Sequence, residues 1–101
     1  MAAADGADSE RHAANTQGAK RLFEEALDLE QQAARLVDLG IEPTRSVLFR
    51  SAARLALECG DYDTAFRLVL EARLGSPPPE IAAELVEIEH SLQEVRIRET
   101  S

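Results

Sequence analysis

The chain has 101 residues, 45% of them apolar, 30% charged and 4% aromatic, and 19 acidic against 11 basic residues leave a formal net charge of −8. That length allows one domain of ordinary size, and the acid surplus argues against nucleic-acid binding, since phosphate backbones select for Lys and Arg. No run of about 18 apolar residues is present to span a membrane, and four aromatics without a Trp argue against deep stacking pockets for bases or flat cofactors.

A lone Cys59 cannot form an internal disulfide, which points to a reducing compartment. Residues 1–18 lack a basic start followed by an apolar run, so no secretory signal is read there and a cytoplasmic protein is expected. The same 18 residues hold no Leu, Ile, Val or aromatic. With so little to bury they cannot offset their ordering entropy, and a disordered tail is expected. His12 falls inside it and takes no role. Residues 19–97 are expected to form a single helical domain, with a frayed end over 98–101.

From Lys20 the pattern becomes helical. Leu22, Ala26, Leu29, Ala33 and Leu36 recur in steps of four and three, and Phe23, Leu27, Ala34 and Val37 widen the stripe. This predicts an amphipathic helix buried along a broad face. Gly40 is expected to end it in a left-handed conformation, with Pro43 preventing its resumption. Thr44 or Ser46 is expected to cap a second helix carrying Val47, Leu48, Phe49, Ala52, Ala53, Leu55, Ala56 and Leu57. Gly60 ends that helix and Asp61 caps the next, so the two must form an antiparallel hairpin. The third helix is expected to bury Ala65, Phe66, Leu68, Val69 and Ala72 and to stop at Gly75. After Pro77 and Pro78, Pro79 suits the first position of a fourth helix. Its residues Ile81, Leu85, Ile88, Leu92 and Val95 form a heptad-type seam running to about Arg96.

Residues 46–79 make a stretch of 34 residues with Gly60, Asp61, Tyr62 and Asp63 at the turn, Ala65 opening the second helix, Ala72 seven residues later and Pro77 at the close. This stretch resembles a single tetratricopeptide repeat, in length and in those residues. Phe49 stands where the family usually has Trp, Ala52 and Ala53 occupy its Leu-Gly pair, and Ala56 replaces its usual Tyr. Small residues there allow a tight crossing, while Tyr62 and Phe66 are expected to fill the gaps. The resemblance covers a third of the chain. It implies an all-α fold of antiparallel helical hairpins stacked as a short bundle of about four helices, the flanking helices taking the place of missing repeats.

The resemblance also implies a groove, lined by the first helix of the pair, that holds a protein or peptide partner. Carried onto this chain, that face is Val47, Arg50, Arg54, Leu57 and Glu58. Arg50 and Arg54 are one turn apart and can clamp a carboxylate from an acidic segment or a chain terminus. Equally, they can pair with Glu58 or with carboxylates of neighbouring helices and contribute little. Residues 80–94 hold five Glu and no Lys or Arg. Glu80, Glu84, Glu87 and Glu94 read either as a solvated face or as an acidic surface for a basic effector, as in an antitoxin or immunity-type inhibitor. A homodimer through the fourth-helix seam or through the first helix is a further option.

Support for catalysis is thin. Glu87 and His90 make one E-x-x-H, half of a di-iron pattern, with no second pair to complete it. Cys59 reads as a small core residue and not as a nucleophile with His90. No phosphate loop, zinc spacing or Ser-centred elbow is present. The sequence therefore implies no enzyme, no metal and no cofactor, and an interaction module as the leading function.

Overall fold

A computed structural model of the chain describes residues 2–100, with side chains from 17 to 99. Four helices follow in order: α1 (Ala2–Leu36), α2 (Thr44–Cys59), α3 (Tyr62–Arg73) and α4 (Pro79–Thr100). The protein is all-α, with no strand among the described residues. No helix is long and apolar enough to cross a membrane among those residues. Of the tail expected over residues 1–18, residues 1–16 lie outside the described side chains, but α1 is already helical at Gln17 and Gly18, upstream of Lys20. Adding residues to an existing helix end costs little compared with nucleating one, so the helix passes the start of its apolar stripe. At the other end α4 continues to Thr100, past the boundary expected near Arg96.

The turn between α2 and α3 follows from its residues. Gly60 has φ 78°, the left-handed conformation that a side chain resists, and its N–H donates to the Leu57 carbonyl while the Asp61 N–H donates to that of Ala56. These two bonds satisfy the last carbonyls of α2 in a Schellman arrangement. Asp61 then accepts from the Thr64 N–H and from the Thr64 hydroxyl, capping α3. Gly60 is the only residue with positive φ among those described. Gly40 therefore lacks the left-handed role expected of it: α1 ends at Leu36, and an irregular stretch separates the two. Nor do Thr44 or Ser46 cap α2. The cap position falls on Pro43, and the Glu42 carboxylate accepts from both the backbone N–H and the hydroxyl of Ser46. An anion there also suits the positive end of the helix.

α2 is the helix against which the other three pack. Its Ala52, Ala53 and Ala56 are fully buried, and so are Ala65 and Ala72 of α3 and Ala34 of α1. Side chains this short let helix axes come close, and the larger Phe49, Leu68, Val69 and Leu85 fill the space around them. On α4 the expected seam is buried at Ile81, Leu85, Ile88 and Leu92, packing against both α2 and α3. Two expectations for the core fail. Phe66 is 40% exposed, because it projects from α3 beside the Ala65–Leu68–Val69 face into an open groove whose other wall is Glu89, Leu92, Gln93 and Arg96 of α4. On α1 only Leu27 and Ala34 are buried, while Leu22, Leu29 and Leu36 are 66%, 66% and 84% exposed. α1 packs along α2 alone and reaches α3 only through the Arg35–Glu71 ion pair, so only a narrow strip of its broad apolar face is covered.

One buried charge ties the hairpin shut. Arg45, at the start of α2, is 6% exposed, and its guanidinium donates to the carbonyls of Glu71 (2.9 Å) and Ala72 (3.4 Å) in the last turn of α3. Those carbonyls carry the negative end of the helix dipole, and each also accepts from one backbone N–H, that of Leu74 or Gly75, at 3.2 Å, so the guanidinium is their second donor. The guanidinium also lies 4.5 Å from the centre of the Phe49 ring, one turn along α2. Gly75 leaves room for it, since a Cβ there would stand 2.5 Å from Arg45 Nη1.

Two substitutions test this packing. Ala56→Leu forces extra carbons into the α2 crossing and should cost about 1–3 kcal/mol, read as a lowered midpoint in urea. Arg45→Leu removes the second donor of two carbonyls and the cation over Phe49, and should cost about 1–3 kcal/mol, with helix content retained below the transition.

Candidate functional site

Of the five residues expected to form a groove face on α2, Arg54, Leu57 and Glu58 line a cleft whose second wall is α4. An open cleft of about 320 Å³ is lined by Arg54, Leu57 and Glu58 of α2 and by Glu87, Ile88 and Ser91 of α4. The two helices run in the same direction: Arg50 and Arg54 meet Glu84 near the start of α4, and Glu58 shares the cleft with Ser91 further along. Leu57 is half-buried and Ile88 is core, so together they give the cleft an apolar floor. Val47, one turn before Arg50, is half-buried and packs against the core, leaving the cleft itself to the later residues.

Arg50 and Arg54 do share a face, and an internal acid already occupies it. Arg50 Nη1 lies 2.6 Å and Arg54 Nη2 3.2 Å from the same oxygen, Glu84 Oε2. The Arg50 hydrogen bond, with the charges of both arginines behind it, holds the Glu84 carboxyl below its ordinary 4.5. Of the two expectations for this pair, the neighbouring-helix carboxylate is the one observed. Two cations on one anion still leave the cluster at +1, and Arg54 remains about half exposed. Each guanidinium has five N–H donors, and one carboxylate oxygen meets few of the ten.

The four acids expected on one α4 face separate. Glu80, Glu87 and Glu94 are exposed, whereas Glu84 is half-buried against the arginines. Glu89, not singled out from the sequence, bonds Arg73 of α3 and is likewise held below 4.5 by that hydrogen bond, while Arg73 is raised. The Glu-rich stretch is thus partly neutralised from both neighbouring helices. Two residues before Arg73, in the same last turn of α3, the Glu71 carboxylate accepts from Nε and Nη2 of Arg35 of α1, at 3.2 and 3.1 Å.

The residues weighed for chemistry lie apart. Cys59 is half-buried in a cleft with Lys20, Phe23, Glu58 and Tyr62, and burial together with Glu24, Glu58 and Asp61 pushes its thiol above the ordinary value. A raised thiol is protonated and weakly nucleophilic at neutral pH. His90 and Glu87 are exposed on α4. Among the described residues, no three of His, Cys, Asp and Glu come together in a metal-binding group.

Sequence reading missed Ile88 and Ser91 as groove residues, Glu84 as the partner of the arginines, and Arg45 altogether. For Arg45 a signal exists in retrospect: it stands four residues before Phe49, on the same face of α2.

Compared with protein-family models, curated proteins and solved structures, the chain matches none at a significant level. Fold and site therefore rest on its own residues.

The lowered carboxyls set a pH dependence. A carboxyl whose folded value lies below its unfolded one stabilises the fold above the unfolded value, and that stability is lost as pH falls through the folded value. Thermal melts in acid should therefore show a midpoint that drops below pH about 4.5. Glu84→Gln with Glu89→Gln should lower the midpoint at neutral pH and flatten its acid limb; an unchanged acid limb would contradict the assignment.

Proposed function

We propose that this protein is a small helical interaction module that binds a segment of another protein in the α2–α4 cleft. What carries the reading is Arg54. It lines the cleft, stays half exposed, and holds the shared Glu84 oxygen by one contact at 3.2 Å. The tetratricopeptide resemblance supports the same face, since its groove is lined by the helix that carries Val47, Arg50, Arg54, Leu57 and Glu58.

The cleft is polarised along its length. Surplus positive charge lies at the Arg50–Arg54 end, and one turn further along Leu57 and Ile88 form an apolar floor, flanked by the exposed Glu58 of α2 and Glu87 of α4. A segment with a carboxylate or chain terminus followed by an apolar side chain, with a basic residue beside it, complements that arrangement. Arginine suits the first position because its planar fork takes a carboxylate bidentately. The reading as an acidic inhibitor has less support, because Glu84 is committed to the arginines. The module is proposed to be non-catalytic and to work in a reducing compartment such as the cytoplasm, given the lone, protonated Cys59.

Selection from a random displayed-peptide library against the whole chain tests this. Enriched peptides should carry an acidic residue followed by an apolar one. They should bind Arg54→Glu about tenfold or more weakly, the loss expected for a charge-assisted contact of ~1.5–3 kcal/mol. Glu94→Lys, on an exposed stretch outside the cleft, should leave their binding unchanged. Enriched peptides indifferent to Arg54→Glu would contradict the site.

A further inference from the structure

Beyond the cleft, the molecule carries an apolar face on the outside of α1. Leu22, Leu29 and Leu36 stand seven residues apart and are 66%, 66% and 84% exposed. Ala19, Ala26 and Ala33 alternate with them in steps of three and four. This is a heptad seam over three repeats, leucine at one core position and alanine at the other. It borders an open, largely apolar groove of about 410 Å³ lined by Ala19, Leu22, Phe23, Ala26 and Glu30 with Leu55 of α2. Glu30 stands at the edge of this groove, next to Leu29 of the seam.

We propose that this face binds a second copy of the chain, α1 packing antiparallel on its counterpart with Ala26 opposite the partner subunit's Leu29. Size selects this occupant. In that register Ala19 faces the partner's Leu36, Leu22 faces the partner's Ala33, and the remaining layers follow by symmetry. Every leucine therefore meets an alanine, the pattern by which two identical Leu/Ala seams interlock. Charge selects the orientation. In heptad terms Glu25 and Glu30 flank the seam on opposite sides. A parallel pair sets Glu25 against the partner's Glu30 on both edges, and like charges so placed repel. The antiparallel register sets Glu25 against the partner's Gln32 and Glu30 against the partner's Phe23, with no like-charge pair. A domain this small also gains from association, since its own core is limited.

Light scattering of the full chain across a concentration range tests the proposal. The wild type should reach twice the chain mass, and Leu29→Glu should hold the mass at one chain. Circular dichroism should show helix retained in that variant, because Leu29 is exposed in the single chain. A wild type that stays at one chain throughout, leaving the seam to a foreign helix or to solvent, would overturn the proposal. So would a dimer insensitive to Leu29→Glu. Orientation has its own readout in a Cys59→Ser background. An Ala26→Cys chain mixed with a Leu29→Cys chain should give the mixed disulfide. Disulfides formed within each chain type alone would indicate the parallel pair and contradict the register. Arg54→Glu, in the cleft on the other side of α2, should leave the mass unchanged, which keeps this test separate from the peptide-binding one.

Discussion

The close approach permitted by alanines on α2 is the constraint on which the rest of the structure depends. Ala52, Ala53 and Ala56 are fully buried, and α1, α3 and α4 all pack against the helix that carries them. A helix surrounded on three sides cannot carry large side chains on every face without pushing its neighbours apart. The few large core residues therefore fall at the margins, with Phe49 toward the start of α2 and Leu68, Val69 and Leu85 on the partners. The scarcity of aromatics in this chain is a consequence of the same geometry.

Around that apolar crossing the charged contacts act at helix ends and edges, and they divide by environment. Arg45 is buried and bonds carbonyls, so its loss exposes a desolvated gap. Arg35, Arg54 and Arg73 are more exposed and pair with carboxylates, where solvent screening leaves each pair worth little. Their greater effect is on position. Arg50 and Arg54 meeting Glu84, and Arg73 meeting Glu89, fix how α4 lies across the hairpin. The placement of α4 in turn forms the cleft. The surface thus carries a charged groove between α2 and α4 and, separately, an exposed leucine face on α1.

Much of the fold was legible because it is locally encoded. Gly60 and Asp61 specify their turn with their own backbone and side chain, and the Ile81–Leu85–Ile88–Leu92 period identifies the buried face of α4 without reference to any neighbour. α1 was not legible in the same way. Its apolar residues form two overlapping stripes, and only the position of α2 decides that Leu27 and Ala34 are buried while Leu22, Leu29 and Leu36 are not. The stronger period belonged to the exposed stripe. At the site, spacing on one helix showed that Arg50 and Arg54 share a face. Their acid comes from 34 residues beyond Arg50, and its identity depends on how α4 crosses α2. Arg45 was hidden for a related reason, since its partners are backbone carbonyls that no sequence pattern marks.

Residue-resolved hydrogen exchange in native conditions, at concentrations dilute enough to keep chains apart, tests the central role of α2 most directly. Amides from Ala52 to Leu57 should exchange only through global unfolding and be the slowest in the protein. Those of α1 from Leu22 to Leu36, supported on one side alone, should open at lower free energy. An α1 as protected as α2 in the single chain, or an α2 that exchanges before its neighbours, would contradict this account.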